Sequence, residues 1–370
     1  MSNRAIARAV AIVFGMLLLA GIICAVVVLV ASGGDPGDFI QTQLARLRLA
    51  SQQEALDIPI GTDDTPIRFT IASGDSPRVI AQNLRTAGLI ANTNLFLDYV
   101  RAEGLDVQLE AGTFFLYQTE STRQIAQALT DSASSQFTFS IIEGERLEEV
   151  AFNRVDNNRF FGFSGAEFYA AVGPGAVQDP IFAQTVGLPS GASLEGFLFP
   201  DTYQLPAAVT PIMLRDILTD QFLTRIGTDL LQAAQQQGLS IYQVVTLASI
   251  IQREAVRVDE MPAISGVYRN RLAIGMKLDA DPTVQYGMGF QNGTWWPQLT
   301  VADYQSVLSP YNTYRNIGLP PGPIANPGMS AIRAALFPLE SDFYYFRARC
   351  DGSGYHNFAR TFEEHLANAC

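Results

Sequence analysis

A carboxylic acid at the margin of an apolar helix face is the clearest chemical feature of this sequence. Glu254 lies in SIYQVVTLASIIQREAVRVD, residues 240–259. At 100° per residue it falls beside Leu247 and Val258, at the edge of a stripe made by Ile241, Val244, Val245, Ala248, Ile251 and Ala255. Apolar neighbours disfavour the charged form of a carboxyl, so its pKa should rise. A raised pKa lets a glutamic acid donate a proton at neutral pH. The competing reading is a surface glutamate that merely borders a core helix. Asp281, just before Pro282, and Glu195, in LEGFLFPDTYQLP, are further acids whose alternatives are a turn start and a structural role. With two histidines, no C-x-x-C, no H-E-x-x-H and no glycine-rich phosphate loop after a strand, the sequence predicts no metal and no nucleotide cofactor.

The element that must hold Glu254 carries its own start signal. Ser240 and Gln243 form an S-x-x-Q capping box, and Gly238 ends whatever precedes. Periodicity predicts a long helix over 213–237 and an amphipathic helix over 264–272, with Arg269 and Arg271 on its polar side. Residues 308–328, LSPYNTYRNIGLPPGPIANPG, are too rich in proline and glycine for helix or central strand. Long ordered loops of this kind usually carry function. A helix over 330–337 and a strand over 343–348 follow. His356 opens the last strand or turn and reads as a structural histidine.

The first half contains a repeat. FTIASGDSPRVIA from Phe69 matches FSIIEGERLEEVA from Phe139, each a short strand, a glycine turn with an acid after it, and a helix start. ESTRQIAQAL from Glu120 echoes the helix half, with a capping box of Ser121 and Gln124. Helix is also predicted over 94–103 and strand over 112–117. Residues 66–138 resemble a LysM module, a small α+β carbohydrate-binding fold. The alternative is an unrelated α+β packing domain.

The chain has 370 residues, 48% of them hydrophobic and 16% charged, with net charge −12. Such an acidic balance argues against a nucleic-acid partner, whose phosphates it would repel, but not against an uncharged polymer. Residues 9–31 form one uncharged run, about 30 Å long as a helix and enough for a bilayer core. Arg4 and Arg8 precede it while Asp35 and Asp38 follow, which predicts a single-pass anchor in the cytoplasmic membrane with the N-terminus inside. A cleaved signal peptide is the rival; the run is long for one and no A-x-A-like site is evident. The expected order is a cytoplasmic tail over 1–8, the transmembrane helix over 9–31, a tether over 32–65 whose amphipathic middle is open to helix, the LysM-like domain over 66–138 and a catalytic domain over 139–370. On that topology Cys350 and Cys370 face an oxidising compartment. They either bridge, closing a 20-residue loop and contributing about 3 kcal/mol, or stay as two thiols.

Five motifs in order, LEGFLFPDTY, ASIIQREA, NRLAIGMKLDADPTVQYG, SPYNTYRNIGLPPGPIANPG and GYHNF, resemble the YceG-like family of endolytic murein transglycosylases. The resemblance covers about residues 144–361. It implies cleavage of the β-1,4 bond between N-acetylmuramic acid and N-acetylglucosamine in peptidoglycan strands, leaving 1,6-anhydro ends, with Glu254 as the catalytic acid. It also implies synthases of the elongation machinery as partners. One acid suffices if the sugar's own C6 hydroxyl is the nucleophile, whereas a hydrolase normally needs two. Asn312, Tyr311 and Tyr314 are suited to holding the sugar, with Asp281 and Glu195 as further binding residues. The rivals are a muramidase using Asp281 or Glu195 as second acid, and a non-catalytic wall-binding adaptor. The fold expected is α+β throughout.

Overall fold

The computed structural model describes residues 35–370 together with Met16, Leu17, Leu19, Gly21, Ile22 and Val26. The apolar run 9–31 therefore lies almost wholly outside the described residues. Among the described residues no helix is long and apolar enough to cross a membrane. The chain divides into two units, residues 1–136 with 206–208, and residues 137–205 with 209–370.

In the first unit, helix α1 (Pro36–Leu49) is followed by strand β1 (Ile67–Ile71), helices α2 (Pro77–Thr86) and α3 (Thr93–Ala102), strand β2 (Gly112–Leu116) and helix α4 (Thr122–Ala128). β1 and β2 pair antiparallel, Phe69 opposite Phe114. Phe69, Ile71, Ile80, Leu84, Phe96, Val100, Phe114 and Leu116 form one core. Residues 32–65 are not simply a tether: Ala45, Leu49 and Leu56 are buried in that same core, and Arg46 donates to the Ala102 carbonyl. Helix formation there follows from a proline in the first turn and Asp35 accepting the Gly37 and Asp38 N–H groups.

The repeat is one of local geometry. At the first copy Gly74 takes φ +91° and Asp75 accepts from the Ala72 N–H. At the second Gly144 takes φ +85° and Glu145 accepts from the Ile142 N–H. Glycine is needed because an L side chain avoids that left-handed region. The echo at Glu120 repeats the acid's bond, with Tyr117 as donor, and Ser121 and Gln124 close both bonds of the capping box.

The second unit opens with strand β3 (Gln136–Ser140), which neighbours β4 (Thr202–Pro206) in a two-stranded sheet. Helix α5 (Pro211–Gln236) is not continuous, because Gly227 adopts φ +60° and breaks it into two. Helix α6 (Ile241–Glu254) starts on the Ser240–Gln243 capping box and packs against α7 (Met261–Ala273), α8 (Asp281–Met288) and α9 (Met329–Leu336). Residues 244–251 are all buried, so α6 is enclosed and is more than a one-sided stripe. Its two hydroxyls there are satisfied internally: Thr246 donates to the Tyr242 carbonyl and Ser249 to the Thr246 carbonyl. Strands β5 (Tyr345–Ala348) and β6 (His356–Ala359) pair antiparallel, and helix α10 (Phe362–Ala367) follows. Cys350 and Cys370 are bonded, their Cα atoms 5.5 Å apart.

The proline-rich segment divides into two parts of different character. Residues 322–328, GPIANPG, are buried against α6. Two prolines there have no N–H to satisfy. The Ile324 N–H donates to Ser249, the Gly328 N–H to Gln252, and the Asn326 N–H to the Glu145 carbonyl. The Asn326 side chain accepts from the Leu198 N–H and donates to the Glu145 carbonyl. A Cβ on Gly322 would lie 2.3 Å from the Tyr242 hydroxyl, so only glycine lets the segment lie this close. This part is a strap inside the fold and offers no surface for a ligand.

Candidate functional site

Glu254 is the last residue of α6, and Ala255 leaves the helix in extended conformation. Val258 is thus not its neighbour on a continuous stripe, as the periodicity predicted, and is exposed instead. The apolar environment comes from elsewhere. Tyr268, one turn before the end of α7 and almost fully buried, donates from its hydroxyl to Glu254 Oε1 at 2.9 Å. Burial is the main cause that pushes the Glu254 carboxyl up to about 7, with the charge of Asp281 acting the same way. The Tyr268 hydrogen bond and Arg271 pull in the opposite direction but do not prevail. The carbonyl end of α6 also disfavours a carboxylate at this position.

Glu254 borders an open cleft of about 520 Å³ in the second unit, lined also by Tyr268, Arg271, Asp279, Asp281, Tyr304, Tyr314, Tyr345 and His365. Asp281 begins α8, and its two oxygens accept from different hydroxyls, Oδ1 from Tyr314 at 2.6 Å and Oδ2 from Tyr304 at 3.3 Å. The two tyrosine rings lie 4.3 Å apart. Burial and the Asp281 bond raise the Tyr314 hydroxyl far above its ordinary value, so it stays a neutral donor.

Of the residues predicted from the sequence, Glu254, Asp281 and Tyr314 meet in this cleft. Asn312 does not. It is wholly buried, donates to the Tyr304 and Val307 carbonyls, and accepts from the Tyr314 N–H. Its amide holds the two cleft tyrosines in place and cannot itself reach a sugar. Glu195 and Tyr311 belong to a separate cluster. Glu195 is buried, accepts the Leu147 N–H with both oxygens and the Tyr286 hydroxyl at 3.3 Å, and is pushed well above the carboxylate range by burial. The Tyr311 ring lies 4.7 Å from that of Tyr286, which in turn sits under Arg146. Burial pushes the Tyr311 hydroxyl up to about 12. As a capping acid inside the fold, Glu195 is unavailable as a second catalytic acid.

Two residues were misread or missed. Arg271, expected on a solvated face or in an ion pair, is buried, pairs with Asp279 at 3.6 Å and donates to the Tyr344, Lys277 and Leu278 carbonyls, which ties the loop before α8 to the lead into β5. Tyr268 was not singled out at all. Both lie on the buried stripe of α7, spaced four and seven residues from Ile264, and that spacing was the available signal. His356 is a structural histidine: its Nδ1 lies 2.9 Å from Glu260, which also accepts its N–H.

A half-buried acid poised near neutrality, facing uncharged hydroxyl donors in an open cleft, can give a proton to a leaving oxygen and take one back. Fold and cleft thus define an α+β protein with a raised carboxyl and hydroxyl donors gathered at one open cleft. A profile of the YceG-like family matches residues 69–370. The endolytic murein transglycosylase of Bacillus subtilis is 31% identical over 329 residues, spanning 83% of this chain and 85% of that one. The endolytic murein transglycosylase of Streptococcus pneumoniae is 28% identical over 324 residues, spanning 80% of this chain and 57% of its own length. A yceG-like protein from Listeria monocytogenes, known from a 2.6 Å crystal structure, matches with a TM-score of 0.56 and 29% identity over 83% of this chain and 100% of that one. The chain belongs to the YceG-like family.

Proposed function

We propose that this chain is an enzyme, a lytic transglycosylase and hence a lyase, that cuts peptidoglycan glycan strands internally. Glu254 first protonates the glycosidic oxygen between N-acetylmuramic acid and N-acetylglucosamine. The C1–O bond breaks as the muramyl C6 hydroxyl oxygen bonds to C1, and the proton of that hydroxyl returns to Glu254. No water is consumed, and the product carries a 1,6-anhydro end. The observation that carries this reading is the Glu254 carboxyl, held up to about 7 by burial and bonded by Tyr268 at the margin of the cleft. The two tyrosine hydroxyls gathered by Asp281 supply the polar surface for the sugar. Residues 9–31 anchor the enzyme in the cytoplasmic membrane with the cleft outside, close to nascent strands and the synthases that make them. The strand–helix–helix–strand order of 67–116 supports a LysM-like second grip on the same polymer.

A muramidase using Asp281 as its second acid is the reading favoured next, because that carboxylate shares the cleft. Mass spectrometry of strands digested by wild type and by Glu254→Gln separates the possibilities. Anhydro ends with wild type, and a fall of about 100-fold or more for the variant, are expected. Reducing muramic ends would overturn the lyase reading, and full activity of a folded Glu254→Gln protein would remove Glu254 from the chemistry.

A further inference from the structure

The C-terminal hairpin and helix build a part of the cleft that the cutting reaction does not use. Tyr345 and Arg347 of β5, with Phe362 and His365 of α10, line it. Arg347 sits opposite Asn357 in the hairpin and is half-buried. Among the described residues it has no hydrogen-bond or ion-pair partner. Arg271, the other arginine of the cleft, is fully engaged with carbonyl oxygens and with Asp279 at 3.6 Å. A guanidinium that lines the cleft with no partner of its own is suited to pair with an anion brought by a ligand.

His365 gives a second, independent indication. Its ring packs 5.4 Å from that of Tyr345 and 6.0 Å from that of Phe362. Its Nδ1 is buried and has no partner. A sealed nitrogen with no acceptor nearby does not readily carry the hydrogen, so the neutral ring carries it on Nε2 and is a donor at its other edge. Burial, with Arg347 and Arg271 nearby, keeps the imidazole below its ordinary pKa and so neutral. The cleft is thereby bipolar, with Glu254, Asp279 and Asp281 as its acids and an unpaired cation with a neutral donor on the C-terminal segment.

We propose that Arg347, assisted by His365, binds a carboxylate carried by the muramyl substituent, so that the cleft selects carboxylate-bearing glycan over uncharged amino-sugar polymers. This rests on the transglycosylase reading above. Two sources share the chemistry: the lactyl carboxylate of a stripped strand and the carboxylates of a peptide stem. Steady-state kinetics of wild type, Arg347→Gln and Arg347→Lys test it on three substrates. These are stem-bearing strands, the same strands with their carboxyls converted to amides, and strands stripped by an amidase.

On strands that carry the bound carboxylate, Arg347→Gln should raise KM about tenfold, the size of a lost charge-assisted hydrogen bond, with most of the loss in KM. Arg347→Lys, which keeps the charge, should lose less. On amidated strands the three proteins should converge. A difference on stripped strands, where the lactyl carboxylate is freed from its amide bond, assigns that carboxylate, and one confined to stem-bearing strands assigns the stem. Equal KM values on both stem-bearing and stripped strands, or an undiminished gap on amidated ones, would overturn the proposal. Absence of anhydro product with wild type would instead overturn the transglycosylase reading, so the two failures are distinct.

Discussion

At Glu254 two neighbours pull in opposite directions, and this makes its role measurable. The carboxyl must be protonated to act as the acid, so kcat/KM should fall as pH rises through about 7. The Tyr268 hydrogen bond favours the carboxylate, so Tyr268→Phe should move that alkaline limb to higher pH. The negative charge of Asp281 disfavours the carboxylate, so Asp281→Asn should move the limb to lower pH. Profiles of the two variants shifting in the same direction, or neither shifting, would mean that another group governs the limb. Stability follows the same linkage. The folded pKa lies above the unfolded value, so the stability this group contributes is complete below about pH 4 and is lost as pH rises through about 7.

At the scale of elements, the strap over 322–328 is bonded to the last turns of α6 through Ser249 and Gln252. Asn326 connects three segments, accepting from Leu198 and donating to the Glu145 carbonyl, while its own carbonyl accepts from the Gly144 N–H. Asn326→Leu leaves the buried Leu198 N–H without its acceptor, while the Glu145 carbonyl keeps the backbone N–H of residue 326, and should destabilise the protein by about 2 kcal/mol. Urea unfolding of the variant reads this directly; a change within about 0.5 kcal/mol would show that the strap does not depend on that side chain. The same strap explains why so much proline and glycine lies in a buried place. Prolines bring fewer N–H groups to satisfy, and glycines permit the close approach that Gly322 makes to Tyr242.

For the whole molecule, net charge −12 argues against a nucleic-acid partner, and the proposal that residues 9–31 anchor the chain has a direct test. Deleting residues 1–34 should shift the protein from the membrane fraction to the soluble fraction while it still cuts strands in solution. Retention of the truncated chain in washed membranes would reject residues 9–31 as the anchor. Helix α1 begins at Pro36 and contributes Ala45 and Leu49 to the first core, so a cut beyond residue 35 would damage that unit and confound the result.

Local features were legible in the order of residues. The capping boxes at Ser121 and Ser240, the glycine turns at Gly74 and Gly144, and the start of the helix that carries Glu254 depend on neighbours within a few positions, and periodicity and capping are written at that range. Burial of one face was legible too, and with it the expectation of a raised carboxyl pKa. What covers that face was not. Tyr268, Asp281 and Tyr314 reach Glu254's cleft from 14 to 60 positions away in sequence, and no repeat records which loop will return there. Asn312 was taken for a surface ligand because its type suits a sugar, yet the fold spends its amide on backbone carbonyls inside a loop without period. Sequence alone therefore placed the acid on a capped helix at the edge of an apolar face and left open whether it stood in a site or merely bordered the core. Tertiary structure decided its partners, because hydrogen bonds between distant segments are set by how enclosed elements pack and by which buried polar groups remain to be satisfied.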